Sequence, residues 1–241
     1  MTFITRFAPS PTGPLHLGHA YSALTAWDAA QKAKGGFLLR IEDIDSTRCK
    51  PEFTQAIYDD LTWMGFSWPK PVRIQSQHFT EYDDVIAELR EYGLVYRCFK
   101  TRKEIMADIA RAPHTTPTPY LGPVTPLSQD EEAEKLARGD AFAWRLSLRA
   151  CQEKLGSSFE NMTFVNNGVE LHATPAKLGD VILARKDVGT SYHIACCHDD
   201  AVQGVTHIVR GVDLLESTHI HRLLQEIMDW PVPHYHHHSL L

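Results

Sequence analysis

The sequence has few cysteines, and they are not spaced as a framework. Its five cysteines are an odd number, and neither Cys-x-x-Cys nor Cys-x-Cys occurs. This argues against a disulfide scaffold and against a cysteine-rich zinc site. Unpaired thiols fit a reducing compartment, and we predict a cytoplasmic protein.

Long apolar runs and an excess of positive charge are also absent. No run approaches the ~18 apolar residues that a membrane span needs, and Met1–Arg6 holds no basic segment followed by an apolar stretch. We therefore expect no membrane partner. The 24 Lys and Arg against 30 Asp and Glu give a formal charge of -6. This balance argues against a broad basic surface for nucleic acid, so any RNA contact should be local.

Apolar sequence, by contrast, is plentiful. The 241 residues are 43% hydrophobic, which suffices for one large domain or for one domain with an insertion. We expect a monomer. Trp27, Trp63 and Phe66, at helical positions, are predicted to lie in the core.

The amino-terminal part of the chain alternates strand and helix. Thr2–Phe7 is a β-favouring run that ends at a proline-rich loop, and Leu17–Lys34 follows with helical periodicity. Phe37–Ile41 is a second apolar run, and Pro51 opens a second helix. Two strands joined by such a helix lie parallel, and ligands bind beyond their carboxyl ends. The sequence therefore predicts an α/β fold with its site at that edge.

The regular pattern is lost in the middle of the chain, and we interpret residues 99–175 as an α+β insertion. Secondary structure resumes with three strand-like runs and a helix, at Val181–Leu183, Ser191–Cys197, Val205–Val209 and Leu214–Met228. On the second of these strands, Cys196 and Cys197 would point to opposite faces. Asp199 and Asp200, which follow it, are predicted to form a turn or a cap.

A histidine motif lies between the first loop and the first helix. His16-Leu17-Gly18-His19 places two imidazoles and a glycine where the first backbone N–H groups of the helix are unpaired. These donors and the positive end of the helix dipole suit a nucleotide triphosphate, and Gly18 lets a phosphate approach the backbone. Alone, the four-residue pattern also fits a helix start with two surface histidines.

Five sequence blocks, including this motif, extend the pattern. They are Arg6–Gly13, His16–His19, Leu39–Asp45, Ser191–Ala195 and Gln203–Gly211. Together they resemble the signature blocks of class I aminoacyl-tRNA synthetases, and within that family the glutamyl branch. The resemblance implies a Rossmann-like parallel sheet in a catalytic domain of residues 1–98 and 176–241. Residues 99–175 would then be an acceptor-binding insertion of the type that holds zinc.

The resemblance also implies a pocket for glutamate. The residues that it assigns are Arg6, Ala8, Ser10, Glu42, Tyr192 and Arg210. The side-chain carboxylate would be bound by the guanidinium groups of Arg6 and Arg210, with the Tyr192 hydroxyl as a further donor. Glu42 would receive the substrate ammonium. This pocket should reject glutamine, because the side-chain NH₂ group of glutamine is a hydrogen-bond donor and would face the donors of the arginines and of Tyr192.

Members of the family activate their amino acid with ATP. His16 and His19 are the catalytic residues that the resemblance implies, and with Gly18 they would bind the ATP phosphates. Mg²⁺ is expected to be held chiefly by the nucleotide. Catalysis would then depend on positioning and charge stabilisation, and neither histidine needs to act as a general base.

The late sequence separates branches of the family. Arg210–Thr218 is similar to a short branch that attaches glutamate to queuosine in tRNA(Asp), whereas members that charge tRNA(Glu) more often carry an acidic residue where Val212 stands. Queuosine-containing tRNA(Asp) is therefore the expected acceptor. The alternatives are a catalytic fragment of a full glutamyl-tRNA synthetase, a small-molecule nucleotidyltransferase and a catalytically silent paralogue.

Two family features are missing. Zinc-binding members use a Cys-x-Cys pair followed by a Tyr and a Cys, but here the pair reads Cys98-Phe99-Lys100, and no cysteine stands between Tyr120 and Cys151. We therefore predict that the protein binds no zinc, we assign no metal-ligating residues, and we expect packing alone to hold the insertion. The Lys-rich loop expected after the last strand lies beyond Leu241, so we expect these residues by themselves to turn over ATP poorly.

Overall fold

The structure is a computed structural model that describes residues 2–111, 119–123, 127–185 and 189–241. Its strands are β1 (Ile4–Phe7), β2 (Gly36–Ile41), β3 (Arg73–Ile74), β4 (Val95–Cys98), β5 (Ala143–Leu146), β6 (Thr163–Asn166), β7 (Val169–His172), β8 (Ile182–Arg185), β9 (His207–Gly211) and β10 (His234–His238). Its helices are α1 (Leu17–Lys32), α2 (Pro51–Trp63), α3 (Phe79–Glu91), α4 (Arg102–Arg111), α5 (Gln129–Ala137), α6 (Leu148–Leu155), α7 (Ser157–Asn161), α8 (Tyr192–Val202) and α9 (Leu215–Ile227). None of the helices in the described ranges combines the length and the apolarity that crossing a membrane requires.

Parallel strand pairs form the centre of the fold. β2 pairs in parallel with β1 and β3, and β10 pairs in parallel with β9 and β6. β1 and β9 are joined where Ile4 and Thr206 exchange hydrogen bonds of 2.8 Å and 2.9 Å. The carboxyl ends of β1, β2, β9 and β10 therefore reach the same edge. This confirms the α/β fold with parallel strands that the sequence predicts.

Helix α1 packs closely on the sheet because one of its sides consists of small residues. Ala23, Ala26 and Ala30 are completely buried, and they are spaced three and four residues apart, as one helical face requires. The turn after the helix needs glycine, since a Cβ on Gly35 would lie 2.2 Å from the carbonyl oxygen of Phe3. This turn brings β2 alongside β1.

Of the three aromatic residues predicted to lie in the core, two pack there and one is exposed. Trp27 stacks on the buried Phe66 with ring centroids 5.2 Å apart. The prediction for Trp63 is wrong, because this side chain is 87% exposed. Ile57 and Leu61 form the buried face of α2. Trp63 follows Leu61 by two residues and therefore points to the opposite side of the helix.

The prediction of a strand over Ser191–Cys197 is also wrong. Ser191 precedes α8, and the residues from Ile194 to Cys197 are all buried in this helix. A helix surrounded by protein on most sides has no polar face, so periodicity cannot distinguish its apolar run from a buried strand. Cys196 and Cys197 are accordingly two buried free thiols of one helix, not residues on opposite faces of a strand.

Strand pairing crosses the boundaries proposed for the insertion. β4 and β8, which lie outside residues 99–175, form an antiparallel sheet with β5, which lies inside them. β6, also inside them, pairs with β10. We keep 99–175 as the proposed insertion in the chain. In space, its strands extend sheets that begin with strands on either side of it.

Hydrogen bonds as well as packing hold the insertion. The Asp180 carboxylate accepts from the Tyr96 hydroxyl at 3.0 Å and from the backbone N–H groups of Gly122 and Leu148 at 2.8 Å and 3.0 Å. A Cβ on Gly122 would lie 2.2 Å from the Tyr96 hydroxyl oxygen, so this approach requires glycine. The prediction of packing alone is therefore wrong. Within the described ranges, no group of three or more His, Cys, Asp or Glu side chains is arranged to hold a metal ion.

Candidate active site

A cavity of about 680 Å³ lies where the strands end. Its walls include Ser10 from the loop after β1, Glu42 directly after β2 and Tyr192 at the start of α8. Tyr120 and Arg145 contribute the wall on the side of the insertion. Ligands of parallel α/β sheets bind at this edge, so we take this cavity as the candidate active site.

A larger cavity of about 1120 Å³ lies elsewhere and is bounded in part by α3, β4 and α6. Its lining includes Arg90 and Trp144, and it contains none of the residues that the sequence predicts to bind glutamate or ATP. Convergent polar groups mark a binding site better than volume does. The smaller cavity therefore remains the candidate.

Arg210, on β9, is a buried cation with only 3% of its surface exposed. Its Nη1 donates to the Tyr192 hydroxyl at 3.0 Å, its Nη2 to the Thr218 hydroxyl at 2.7 Å, and its Nε to Nε2 of His237 at 3.1 Å. All of these acceptors are uncharged. No carboxylate of the described residues forms an ion pair with Arg210. A buried charge without a counter-charge is costly unless an anion binds to it.

Three histidines, His193, His221 and His237, lie around Arg210, and we refer to them as the histidine shell. Nδ1 of His221 is 3.4 Å from Nη1 of Arg210, and the rings of His193 and His221 are 5.3 Å apart. Burial and the Arg210 charge lower the pKa of His193 to about 4 and that of His237 to about 3. The same two causes lower the pKa of His221 well below its usual value. The shell is therefore neutral near pH 7.

Arg6 and Arg40, unlike Arg210, are paired with a carboxylate among the residues that the structure describes. Oδ1 of Asp200 accepts from Nε of Arg6 at 3.0 Å and from Nη1 of Arg40 at 2.8 Å. Burial alone would raise the pKa of Asp200, but the guanidinium groups of Arg40 and Arg6 outweigh it and lower this pKa. The carboxylate is therefore charged, and it joins β1, β2 and α8 beneath the cavity.

Glu42 is held in place by Arg40. Its Oε1 accepts from Nη2 and Nε of Arg40 at 2.9 Å and 3.3 Å. Its backbone N–H donates to the carbonyl of Pro9 at 3.1 Å, which ties the end of β2 to the loop that carries the half-buried Ala8. Burial raises the pKa of Glu42, and Arg40 opposes this rise. An oriented carboxyl group thus reaches the cavity.

The prediction of a turn or a cap for Asp199 and Asp200 is wrong, because both are buried inside α8. Oδ1 of Asp199 accepts from Nε of Arg73 at 2.8 Å, and its Oδ2 accepts from Nε2 of Gln75 at 3.0 Å. Successive side chains on a helix point about 100° apart. Asp199 is therefore hydrogen-bonded to Arg73 and Asp200 to Arg6 and Arg40, although Arg40 also lies 3.8 Å from Asp199. Asp199 links α8 to the segment at β3.

His16 caps α1, and His19 stacks on it with ring centroids 3.8 Å apart. Nδ1 of His16 accepts from the Gly18 backbone at 3.1 Å, and Nδ1 of His19 accepts from the His16 backbone at 3.3 Å. Each neutral ring therefore carries its N–H on Nε2. Burial and His16 lower the pKa of His19. No residue of this motif is among the described residues that line the cavity.

Comparison with known proteins identifies the family. Residues 2–241 match the family described as class I tRNA synthetases (E and Q), catalytic domain. The chain belongs to this family. Its fold is that of the class I tRNA synthetases, and membership implies a ligase that uses ATP.

Relatives within the synthetase family carry two kinds of name. A Glutamyl-Q tRNA(Asp) synthetase from Rhodobacter capsulatus is 43% identical over 241 residues, which are 99% of this chain and 87% of that protein. A glutamate-tRNA ligase from Coprothermobacter proteolyticus is 38% identical over 97% of this chain and 49% of its own length. The crystal structure of a glutamate tRNA ligase from Elizabethkingia meningosepticum in complex with its amino acid has a TM-score of 0.80 at 28% identity, covering 100% of this chain and 50% of that one. The chain therefore spans most of the first relative and about half of the other two.

Sequence reasoning missed the residues that support the synthetase pocket. Arg40 interrupts the apolar run that forms β2, and Asp200 lies in the segment that was assigned to a strand and a turn. Charged residues in buried elements are almost always paired. An arginine within the apolar run of β2 therefore indicates that a buried carboxylate lies nearby. His221 and His237 carry no comparable signal, because only packing shows that they face Arg210.

The free energy of unfolding is expected to fall by about 1–2 kcal/mol between pH 7 and pH 6, after allowance for solvent screening. The histidine shell titrates near 6.5 when unfolded, whereas His193 has a pKa of about 4 and His237 of about 3 in the folded protein. Protons therefore bind the unfolded chain preferentially as the pH falls below 6.5. The stability that the neutral shell contributes is fully present well above pH 6.5. It is lost progressively as the pH falls from 6.5 towards the folded-state pKa values of about 4 for His193 and about 3 for His237. Urea unfolding at the two pH values measures the difference.

His237→Gln is the matched control for this pH dependence. It removes one of the shell's titrating groups and should reduce the difference between pH 7 and pH 6 by about a third. Equal stability of the unsubstituted chain at both pH values would show that the shell does not stay neutral.

Proposed function

We propose that the chain binds L-glutamate and ATP, forms glutamyl adenylate, and transfers the glutamyl group to queuosine in tRNA(Asp). The observation that carries the proposal is the buried guanidinium of Arg210, which has no carboxylate partner among the described residues and donates to the Tyr192 hydroxyl at 3.0 Å. A substrate carboxylate would supply the missing negative charge. The acceptor is supported by the relative named Glutamyl-Q tRNA(Asp) synthetase, of which the chain covers 87%.

The two charged ends of glutamate fit two different protein groups. Arg210 and Tyr192, with a contribution from Arg6, would bind the side-chain carboxylate. Glu42 would accept hydrogen bonds from the ammonium. Its Oε1 already accepts from Nη2 of Arg40 at 2.9 Å, which orients the carboxylate. Glutamine carries no charge for Arg210 and should bind much more weakly, because a buried cation would stay uncompensated.

The ATP phosphates would bind at the start of α1. Nε2–H groups of His16 and His19, together with the unpaired backbone N–H groups beside Gly18, would donate to phosphate oxygens. In the reaction, an oxygen of the glutamate α-carboxylate attacks the α-phosphorus, and the bond to the pyrophosphate oxygen breaks. Transfer of the glutamyl group from the adenylate to queuosine then releases AMP. The chain's part is to position the reactants and stabilise charge, while Mg²⁺ bound to the nucleotide supplies further positive charge.

Further properties accompany this proposal. Residues 99–175 would contact the acceptor tRNA, and the protein would act as a monomer in the cytoplasm. All five cysteines are free thiols, which supports a reducing compartment. Electrostatic contact with tRNA should be local, since the formal charge is -6.

A second candidate is the catalytic part of a synthetase that charges tRNA(Glu). It is favoured by the glutamate-tRNA ligase that is 38% identical to this chain over 49% of its own length. The two candidates share glutamate activation and differ only in the acceptor. An acceptor test therefore separates them.

Labelled glutamate is expected to appear on queuosine-containing tRNA(Asp) and not on tRNA(Glu). Charging assays with both tRNAs measure this, and tRNA(Asp) that lacks queuosine is the matched control because only the acceptor group is missing. Label at the 3′ ends of tRNA(Glu) alone would establish the second candidate. An absence of glutamate-dependent exchange of pyrophosphate into ATP, in a chain extended past Leu241 to include the Lys-rich loop, would refute both.

A further inference from the structure

The hydrogen-bond geometry of the histidine shell defines its protonation. Because a guanidinium only donates, each ring nitrogen that faces it must carry a lone pair. Nε2 of His237 lies 3.1 Å from Nε of Arg210, and Nδ1 of His221 lies 3.4 Å from Nη1. These two nitrogens are therefore unprotonated in the folded chain.

Asn166 places the proton of His237 on the far side of its ring. Nδ1 of His237 lies 2.7 Å from Oδ1 of Asn166, an atom that only accepts hydrogen bonds. Nδ1 therefore carries the N–H, and Nε2 keeps its lone pair for Arg210. A residue of β6 thus sets the tautomer of a ring on β10.

Two buried ring nitrogens of the shell have no hydrogen-bond partner within the described ranges. They are Nδ1 of His193 and Nε2 of His221. His193 also lines the cavity of about 680 Å³. Buried polar atoms normally have partners, and those that lack one require an explanation. They flank a buried cation that pairs with no carboxylate of the described residues, and the neutral shell brings no negative charge that could balance it. The Arg210 charge is therefore left for an anionic ligand.

We propose that His193, His221 and His237 are positioning residues that select for a substrate with an anionic side chain. They hold the Arg210 guanidinium without neutralising it, so that only a ligand carboxylate balances its charge. An acidic residue in their place would pair with Arg210 and compete with the ligand. The inference rests on the proposed function, in which this ligand is L-glutamate.

Paired substitutions at His221 test the inference. His221→Asp and His221→Asn remove the same ring and introduce side chains of nearly equal size, and they differ in charge. Isothermal titration of the full chain should show that His221→Asp weakens L-glutamate binding at least about 10-fold, whereas His221→Asn keeps Kd within about threefold. Kd for ATP should be unchanged in both variants, which a general structural defect would not allow.

The same pair at His193 provides a second, independent test at the cavity wall. Equal losses of glutamate affinity in the aspartate and asparagine variants at both positions would overturn the proposal. If circular dichroism shows that the aspartate variants do not fold, the asparagine variants decide. A loss well above threefold in either asparagine variant would overturn the proposal, because the ring itself would then bind the substrate. An unsubstituted chain that binds ATP but not glutamate would instead refute the proposed function.

Discussion

Replacing Arg210 with alanine is expected to lower kcat/KM for glutamate by about 10²- to 10³-fold. Arg210 donates to Tyr192, Thr218 and His237, all of them uncharged, and to no carboxylate of the described residues. Its removal therefore leaves no negative charge buried without a partner, and the loss should fall on the substrate carboxylate. Glutamate-dependent exchange of pyrophosphate into ATP gives the effect, measured over a range of glutamate concentrations in a chain extended past Leu241 to include the Lys-rich loop.

Arg138→Ala is the matched control for the loss of one arginine. Arg138 follows α5 and is half exposed, with Glu134 and Asp140 as its partners. We expect its removal to leave exchange unchanged. A loss of less than about tenfold in Arg210→Ala would contradict the assignment of Arg210 as the principal carboxylate-binding residue.

Replacing Arg40 with methionine is expected to lower the free energy of unfolding by about 3–5 kcal/mol. Arg40 is completely buried, donates to Glu42 at 2.9 Å and to Asp200 at 2.8 Å, and lies 3.8 Å from Asp199. Methionine fills much of the volume but leaves Glu42 buried without this partner. Urea unfolding followed by circular dichroism measures the change.

Two further variants test whether the uncompensated charge is the cause. Adding Glu42→Gln to Arg40→Met should restore part of the lost stability, because the second change removes the unpaired carboxylate. Arg48→Met, at a solvent-exposed arginine paired with Asp45, should leave the urea midpoint unchanged. The interpretation fails if Arg40→Met unfolds at the same urea concentration as the unsubstituted chain.

Much of the candidate site could be predicted from local sequence. Ser10, Glu42 and Tyr192 line one cavity, and Gly18 lies beside the two histidines that begin α1. Each of these residues stands at the start of a helix or within three residues of the end of a strand. Such positions are predictable because strand, turn and helix signals act over a few neighbouring residues.

Local sequence could not predict which of the two pocket arginines is paired with a carboxylate of the protein. Arg6 and Arg210 are equivalent in sequence as cations of a carboxylate pocket, but Arg6 is paired with Asp200, whereas the described residues that accept hydrogen bonds from Arg210 are all neutral. This difference decides which of them needs a substrate anion. It depends on the helical conformation of α8, which places Asp200 beneath β1 and β2.

The sequence by itself determined the family, the order of the first strands and helices, and three residues that line the cavity, Ser10, Glu42 and Tyr192. It did so because propensity, turn chemistry and motif spacing are local. Only the tertiary structure decided that α8 is a helix, that Asp200 joins Arg6 and Arg40, and that Arg210 pairs with no carboxylate of the described residues. Arg6 and Asp200 are 194 residues apart in the chain. Charge pairing over such a separation follows from packing, which places distant groups together in a medium where each charge needs a partner.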